Sequence, residues 1–296
     1  MNYKSEIIRN ENELNADIFQ YVKYNKSCDL IWYDLVICGN KFGFNEYELI
    51  LFIVSCIRAN YEINVLHTNI CYNVINVSFS FAPVEILTNV DLYGLRIVWD
   101  GNTATIKMDE KPTLLLSQFE LGAMIEAMYE LLNLEYGKDR LFIQDLDPVY
   151  LEHMLGVDLP FIQSKEYIDV PIMSLRVFRK DNEDFVPINK HPYYLQLVNK
   201  NLHCDEQCIT NRKFETNEFR YRQLIASIIV NGYPYKKNHI IIYNNDMIVR
   251  DGTHRLALLY KIYGDIKIPV MRINFSKNYY SYSMYKRYHN KEKCLR

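Results

Sequence analysis

The stretch Met247-Ile-Val-Arg-Asp-Gly-Thr-His-Arg-Leu-Ala-Leu258 decides how the second half of the chain is interpreted. A short apolar run ends at Asp251 and Gly252, which are typical turn residues. Apolar residues then return every three or four positions as far as Tyr263, which is the spacing of an amphipathic helix. The stretch therefore predicts a strand, a tight turn and a helix in direct succession.

The first turn of this predicted helix would contain Thr253, His254 and Arg255. The first backbone N–H groups of a helix have no partner within the helix, and the helix dipole is positive at that end. A hydroxyl, an imidazole and a guanidinium at the same place favour an anion, and phosphate is the natural one. We therefore predict that Gly252, Thr253, His254 and Arg255 bind the phosphates of a nucleotide.

Length and composition indicate the class of protein and the number of domains. The chain has 296 residues, of which 49% are hydrophobic and 24% charged, as in ordinary globular proteins. A length of this order favours two domains. The formal net charge is only −2, so the overall charge gives no argument for binding nucleic acid or a membrane.

Cysteine usage and apolar runs bear on the compartment. Seven scattered cysteines, an odd number, are typical of reduced thiols, and the N-terminus lacks an apolar leader segment. The most apolar run, residues 47–57, is far shorter than the ~20 residues that span a bilayer. We therefore expect a cytoplasmic protein without a membrane span.

Residues 1–160 predict an α+β domain of unknown role. Asn45 is a suitable N-cap for a helix over 46–59, and Ser117 with Glu120 has the spacing of a capping box before a helix over 118–134. We also predict a short helix over 15–24 and a buried strand or short helix over 29–38. Short strands are expected between 63 and 98, and one of them, over 75–81, shows strict alternation. A hairpin over 95–107 turns at Asp100-Gly101.

Residues 161–275 predict a second α/β domain, followed by a tail, 276–296, rich in tyrosine and basic residues. A helix that carries Phe219 to Ile229 would end at Gly232, and strands are expected near 167–177, 239–243, 247–249 and 267–273. Two further helices are expected, one ending near Val198 and one between the Asp-Gly turn and Gly264.

This order of elements resembles the ParB/sulfiredoxin-like fold over about residues 165–275. The resemblance rests on Ser227-Ile-Ile-Val-Asn-Gly232, the run Asp251-Gly-Thr-His-Arg255 and Ile268-Pro-Val270. It implies a nucleotide phosphate at the 251–255 turn. Sulfiredoxins place a catalytic cysteine where this chain has Thr253, so their activity is not expected. Classical partition proteins attach a helix-turn-helix domain, for which too few residues follow 275.

The resemblance is closest to the kinase branch of that superfamily, and it implies ATP and Mg²⁺ as cofactors. Phosphoryl transfer also needs a carboxylate that holds the metal ion or accepts a proton from the acceptor hydroxyl. We predict Asp251 for this role, as a Mg²⁺ ligand or as the base, and Glu218 as a second catalytic candidate. Arg220 and Arg222 are possible supporting residues, although a solvated helix face explains them better.

Alternative interpretations remain open. The Asp251-Gly252 pair is also typical of an ordinary N-cap. His254 could equally be a structural histidine. A different function would be that of a nuclease or DNA-modification accessory factor, in which the basic, tyrosine-rich tail stacks on bases. A third possible function is that of an interaction module that binds neither a nucleotide nor DNA.

A further group of potential ligands is His203, Cys204 and Cys208. A structural zinc site needs a fourth ligand, and no second pair at comparable spacing is nearby, so free thiols are the simpler interpretation. The function predicted from the sequence is an ATP-dependent kinase for a small hydroxyl-bearing substrate such as a sugar or an amino acid.

Overall fold

The structure is a computed structural model in which the chain forms helices and several β-sheets, an α+β architecture. It describes residues 18–26, 30–73, 83–86, 92–139, 142–152, 156–179, 184–199, 217–235 and 238–276. The chain divides into two compact units. Unit 1 contains residues 1–135 and 151–157, and unit 2 contains residues 136–150 and 158–296.

The described residues of unit 1 form two antiparallel sheets. The first has the order β1-β2-β3 and the second β4-β5-β6-β7, so each strand pairs with its neighbours in sequence. The strands are β1 (Phe19–Lys26), β2 (Leu30–Ile37), β3 (Asn40–Asn45), β4 (Val84–Ile86), β5 (Arg96–Trp99), β6 (Thr103–Lys107) and β7 (Leu114–Ser117).

The described part of unit 1 also contains two long helices, α1 (Glu46–Asn73) and α2 (Gln118–Glu135). Both begin with the predicted capping pattern. The amide of Glu48 donates to Asn45 Oδ1 at 2.9 Å, and the amide of Ser117 donates to Glu120 Oε2 at 2.8 Å. These bonds satisfy N–H groups that the helix itself cannot pair.

Three predictions for unit 1 need correction or fall outside the described residues. The predicted helix over 15–24 is wrong over its described part, because β1 occupies residues 19–26 and pairs along its whole length with β2. Helix α1 continues to Asn73, so residues 63–73 are not strands. Residues 75–81 lie outside the described part of the chain. The hairpin over 95–107 is confirmed as β5 and β6.

Unit 2 contains a mixed four-stranded sheet in the order β12-β11-β13-β8, in which β11 and β13 are parallel and the other pairs antiparallel. A two-stranded ladder joins β9 and β10. The strands are β8 (Ile162–Pro171), β9 (Arg176–Arg179), β10 (Asp184–Pro187), β11 (Ile240–Tyr243), β12 (Val249–Asp251) and β13 (Lys267–Phe275).

Among the described residues of unit 2, the helices are α3 (Pro148–Tyr150), α4 (Pro192–Asn199), α5 (Asn217–Asn231) and α6 (Thr253–Tyr263). Single 3₁₀ turns occupy Ile143–Asp145, Ile172–Ser174 and Ile188–Lys190. A further 3₁₀ segment, Gly156–Phe161, spans a division between the units. As predicted, α5 ends at Gly232 and α6 at Gly264, both with positive φ.

The core of unit 2 lies between one face of the four-stranded sheet and the helices. The buried side chains of α6 pack there against β8, β11 and β13. They are Leu256, Ala257, Leu258 and Leu259. This packing fixes the start of α6 at the β12 edge of the sheet.

Among the described residues, no helix is both long enough and apolar enough to cross a membrane.

Candidate functional site

The turn between β12 and α6 depends on glycine at position 252. Gly252 has φ +93°, a left-handed conformation that side chains disfavour. A Cβ on this residue would lie 2.8 Å from Ile240 Cγ1 and 3.2 Å from Ile240 Cα. Since Ile240 belongs to the central strand β11, the backbone cannot easily withdraw. The close approach of turn and strand therefore requires glycine.

Helix α6 begins directly after this glycine without a side-chain cap. Gly252 is its N-cap, and the first turn contains no acidic residue. The first intrahelical bond runs from the amide of Leu256 to the carbonyl of Gly252, at 2.8 Å. The N–H groups of Thr253, His254 and Arg255 therefore have no carbonyl acceptor within the helix. The alternative interpretation of Asp251 as an ordinary N-cap is therefore wrong, because Gly252 occupies the N-cap position.

The side chain of Arg255 joins the turn to the beginning of β11. Its Nη1 donates to the carbonyl of Asn238 at 2.6 Å, to the carbonyl of His239 at 3.2 Å and to Asn238 Oδ1. Its Nη2 donates to Asp251 Oδ2 at 2.5 Å. Only 12% of the side chain is exposed. Arg255 thus holds the Asp251 carboxylate and the backbone at 238–239 in one place.

Asp251 is a partly exposed carboxylate in an unusual electrostatic environment. Twenty-nine per cent of its side chain is accessible to solvent. Burial by the surrounding protein raises its pKa above the usual value, and the charge of Asp147 raises it further. The Arg255 guanidinium and the Gly252 N–H act in the opposite direction. A carboxylate with a raised pKa is a better proton acceptor than an ordinary aspartate.

Asp147 reaches this region from the segment before α3. Its Oδ1 accepts hydrogen bonds from the amides of Val149 at 2.9 Å and Tyr150 at 3.2 Å, so it caps that short helix. These bonds fix the position of a second carboxylate whose charge influences Asp251.

A buried pair of tyrosines lies close to Asp251. The hydroxyls of Tyr150 and Tyr243 are 2.6 Å apart, and either can donate. Burial raises the pKa of Tyr150 well above its usual range, and the charge of Asp251 adds to this effect. The guanidinium of Arg250 lies over the Tyr243 ring at 5.2 Å and pairs with Asp246 at 2.8 Å. Tyr150 and Tyr243 thus place neutral hydroxyl groups near the Asp251 carboxylate.

His254 is held between aromatic rings. Its ring stacks on Tyr193 with a centroid distance of 4.1 Å and contacts Tyr221 at 5.3 Å. Tyr193 in turn packs against His191 at 4.8 Å. These contacts fix the imidazole at the first turn of α6 and give it a packing role there.

The contact between Tyr221 and His254 also brings α5 and α6 together near their first turns. Glu218 and Arg220 lie in the first turn of α5, and their side chains are outside the described part of the structure. Arg222 is exposed further along the helix. The candidates on α5 therefore come from a helix whose start neighbours the α6 turn.

Within the described ranges, no group of three or more His, Cys, Asp or Glu side chains is arranged to hold a metal ion. Magnesium usually needs only one or two protein carboxylates besides phosphate oxygens and water. Asp251 is a carboxylate of this kind, and it lies beside the uncapped turn. His203, Cys204, Cys208 and residues 277–296 of the tail lie outside the described part of the chain.

Sequence reasoning missed the partners of the candidate site. Asp147 and Tyr150 lie about a hundred residues before Asp251 and assume their places only through the packing of unit 2. Asn238 gives no sequence signal beyond its position before an apolar run. The Asp147-Pro148 pair is a recognisable helix start, but nothing in its sequence indicates that it lies near Asp251.

Comparison of the chain with protein-family models, with curated proteins and with solved structures found no match. The candidate site is the turn between β12 and α6. It combines three backbone N–H groups without intrahelical acceptors, a carboxylate with a raised pKa and an arginine that orients that carboxylate. This combination is suited to binding a phosphate group and to moving a proton beside it.

Proposed function

We propose that the protein is an ATP-dependent phosphotransferase that acts on a small hydroxyl-bearing substrate such as a sugar or an amino acid. The nucleotide phosphates would bind at the Gly252–Arg255 turn. The observation that carries the proposal is the uncapped start of α6 directly beside the Asp251 carboxylate. The resemblance of residues 165–275 to the ParB/sulfiredoxin-like fold, which implies a nucleotide phosphate at this turn, is part of the same proposal.

Each residue of the turn has a separate role in this proposal. The backbone N–H groups of Thr253, His254 and Arg255 would donate to phosphate oxygens, and the Thr253 hydroxyl would add one more donor. Gly252 would hold the turn against Ile240 of β11 and so fix the position of these N–H groups. His254 would shape the turn through its ring contacts with Tyr193 and Tyr221.

Arg255 would act mainly by orientation. Its Nη1 bonds to residues 238–239 and its Nη2 bond to Asp251 already use much of its donor capacity. The Nε atom lies beside the turn, 3.4 Å from the place where a Cβ of Gly252 would be.

Asp251 would supply the carboxylate that phosphoryl transfer needs. Its raised pKa favours acceptance of the proton from the acceptor hydroxyl, and its oxygens are also suitable Mg²⁺ ligands. Mg²⁺, when bound, would neutralise charge on the transferred phosphate. Glu218, at the start of α5, is the second candidate for the same role.

Calorimetry with Mg·ATP and with a non-hydrolysable ATP analogue tests the proposal, together with a transfer assay that follows the γ-phosphate. Wild type should bind both nucleotides and transfer phosphate to an acceptor from a panel of sugars and amino acids. Asp251→Asn should lose transfer by a factor of about 10² to 10⁴, the usual contribution of a catalytic base. Absence of nucleotide binding in wild type would overturn the proposal.

The same variant separates the two roles of Asp251. If the carboxylate is the base, Asp251→Asn keeps its affinity for Mg·ATP and loses the transfer rate. If it holds Mg²⁺, the variant also loses the difference between binding of ATP with and without Mg²⁺. Asp246→Asn is the matched control, because Asp246 pairs with Arg250 nearby but lies outside the turn.

A further inference from the structure

We propose that Tyr167 and His239 form the surface on which the base of the nucleotide stacks. This inference rests on the proposed function, because it assigns the base of a nucleotide whose phosphates bind at the start of α6. It concerns residues from β8 and from the segment before β11. Neither residue belongs to the turn itself.

The register of the sheet places Tyr167 on the same face as Asp251. Tyr167 pairs with Met271, Met271 pairs with Ile241, and Ile241 pairs with Asp251. Directly paired residues on neighbouring strands point to the same face. The row formed by these four residues crosses three strand spacings, about 14 Å at ~4.8 Å each.

The rings of Tyr167 and His239 lie together along this row. Their centroids are 4.5 Å apart, and their planes are inclined at 43°. The Tyr233 ring meets His239 edge to face, with the centroids 6.5 Å apart. The Tyr233 hydroxyl anchors this ring, because it donates to the carbonyl of Pro269 and accepts from the amide of Ile240. The ring cluster is therefore fixed to the sheet.

The cluster is connected directly to the phosphate turn. The carbonyl of His239, whose ring contacts Tyr167, accepts a hydrogen bond from Arg255 at 3.2 Å. Burial raises the pKa of the Tyr233 hydroxyl to about 12, and the charges of Arg255 and Asp251 both influence it. The aromatic cluster and the Asp251–Arg255 pair thus lie within electrostatic reach of each other.

Tyr167 is 44% exposed, although Met271, its partner in β13, is buried. An exposed aromatic ring beside a phosphate-binding turn offers a π-face to any nucleobase, because every base stacks favourably on such a ring. The Lys165 ammonium group lies over the Tyr167 ring at 5.2 Å and pairs with Asp139 at 3.1 Å. The expected ligand is a nucleoside triphosphate with little preference among bases.

The test compares binding of Mg·ATP, Mg·CTP and inorganic tripolyphosphate with Mg²⁺ by calorimetry in the full chain. The variants are Tyr167→Leu, which keeps an apolar side chain but removes the ring, and Tyr167→Phe, which keeps the ring. Wild type should bind both nucleotides more tightly than tripolyphosphate. Tyr167→Leu should weaken both nucleotides by about 5-fold to 100-fold, the range for loss of one stacked base, and leave tripolyphosphate unchanged. Tyr167→Phe should resemble wild type.

Two results would overturn the inference while the proposed function stands. One is equal affinity of wild type for ATP and tripolyphosphate. The other is an unchanged ratio of these affinities in Tyr167→Leu. Failure of wild type to bind any of the three ligands would instead remove the proposed function, and this inference with it.

Discussion

Gly252 determines the local geometry on which the candidate site depends. The residue has positive φ, and its Cα faces the central strand β11 so closely that a methyl group would meet Ile240. The sequence predicts the turn at this position from the Asp-Gly pair alone. It could not predict the contact with Ile240, because that contact arises from the packing of the turn against a separate strand.

Gly252→Ala should destabilise the protein more than an alanine at another glycine with positive φ. The left-handed conformation costs about 1–2 kcal/mol for a side-chain residue, and the clash with Ile240 adds an overpacking cost of about 1–3 kcal/mol. Gly232→Ala is the matched control, because Gly232 has φ +78° but no atom lies within 4 Å of the place that its Cβ would take. Urea unfolding should show the larger loss for Gly252→Ala, and equal losses would contradict the steric argument.

Asp251 gives a pH-dependent prediction. Its pKa is raised in the folded protein, mainly by burial, so the folded state holds this proton to a higher pH than the unfolded state. The contribution of Asp251 to stability is therefore complete at low pH and is lost as the pH rises through the raised pKa. Asp251→Asn does not titrate, so its free energy of unfolding should increase relative to wild type as the pH rises above the ordinary aspartate pKa of about 3.9 and through the raised one.

Asp100→Asn is the control of opposite sign. Asp100 accepts hydrogen bonds from the amides of Asn102 and Thr103, which lower its pKa. Its contribution to stability is present at neutral pH and is lost as the pH falls through the lowered pKa. This variant should therefore lose stability relative to wild type as the pH rises. Parallel pH profiles for the two variants would contradict the assigned pKa directions.

At the scale of single elements, local signals predict much of the secondary structure. The N-cap residue Asn45 and the capping box at Ser117 identify the starts of α1 and α2, and the glycines at 232 and 264 identify the ends of α5 and α6. These signals succeed because each residue acts on backbone groups within four positions. The N-terminal strand β1 could not be predicted in this way, because its pairing with β2 decides its conformation.

Ser117→Ala should destabilise α2. The Ser117 hydroxyl accepts from the amide of Glu120 at 3.3 Å and donates to the Glu120 carboxylate at 2.7 Å. Loss of such a cap costs about 1 kcal/mol, which urea unfolding can measure. Ser174→Ala, which removes a hydroxyl bonded to the carbonyl of Pro171 outside any α-helix start, should cost less. A larger loss for Ser174→Ala would contradict the capping role.

At the scale of the whole molecule, each of the two units consists of two separate segments, and the sequence does not predict this division. The chain leaves unit 1 after residue 135, returns for residues 151–157 and leaves again. Within unit 1 the returning segment is fixed by Glu152, which pairs with Arg58 at 3.0 Å, while Arg58 also pairs with Glu62 at 3.1 Å. No local pattern predicts a contact between residues that are 94 positions apart.

Glu152→Ala should therefore destabilise the protein strongly. All three side chains of this cluster are buried, and removal of one partner from a buried ion pair costs about 3–5 kcal/mol. Glu166→Ala is the matched control, since Glu166 pairs with Arg272 at 3.3 Å but is 45% exposed. Exposed pairs contribute at most about 1 kcal/mol. Similar losses in urea unfolding would contradict the role of the buried cluster.

The measurement that tests the central proposal most directly is calorimetry of Mg·ATP binding to Thr253→Asp and Thr253→Asn. The two variants have side chains of nearly the same shape, and only aspartate places a negative charge at the first turn of α6. A negative charge there should stabilise the helix by about 0.3–1 kcal/mol but repel a phosphate at the same position. We predict that Thr253→Asp folds at least as stably as wild type and loses ATP binding, whereas Thr253→Asn still binds ATP. Equal ATP affinities for the two variants would contradict a phosphate site at this turn.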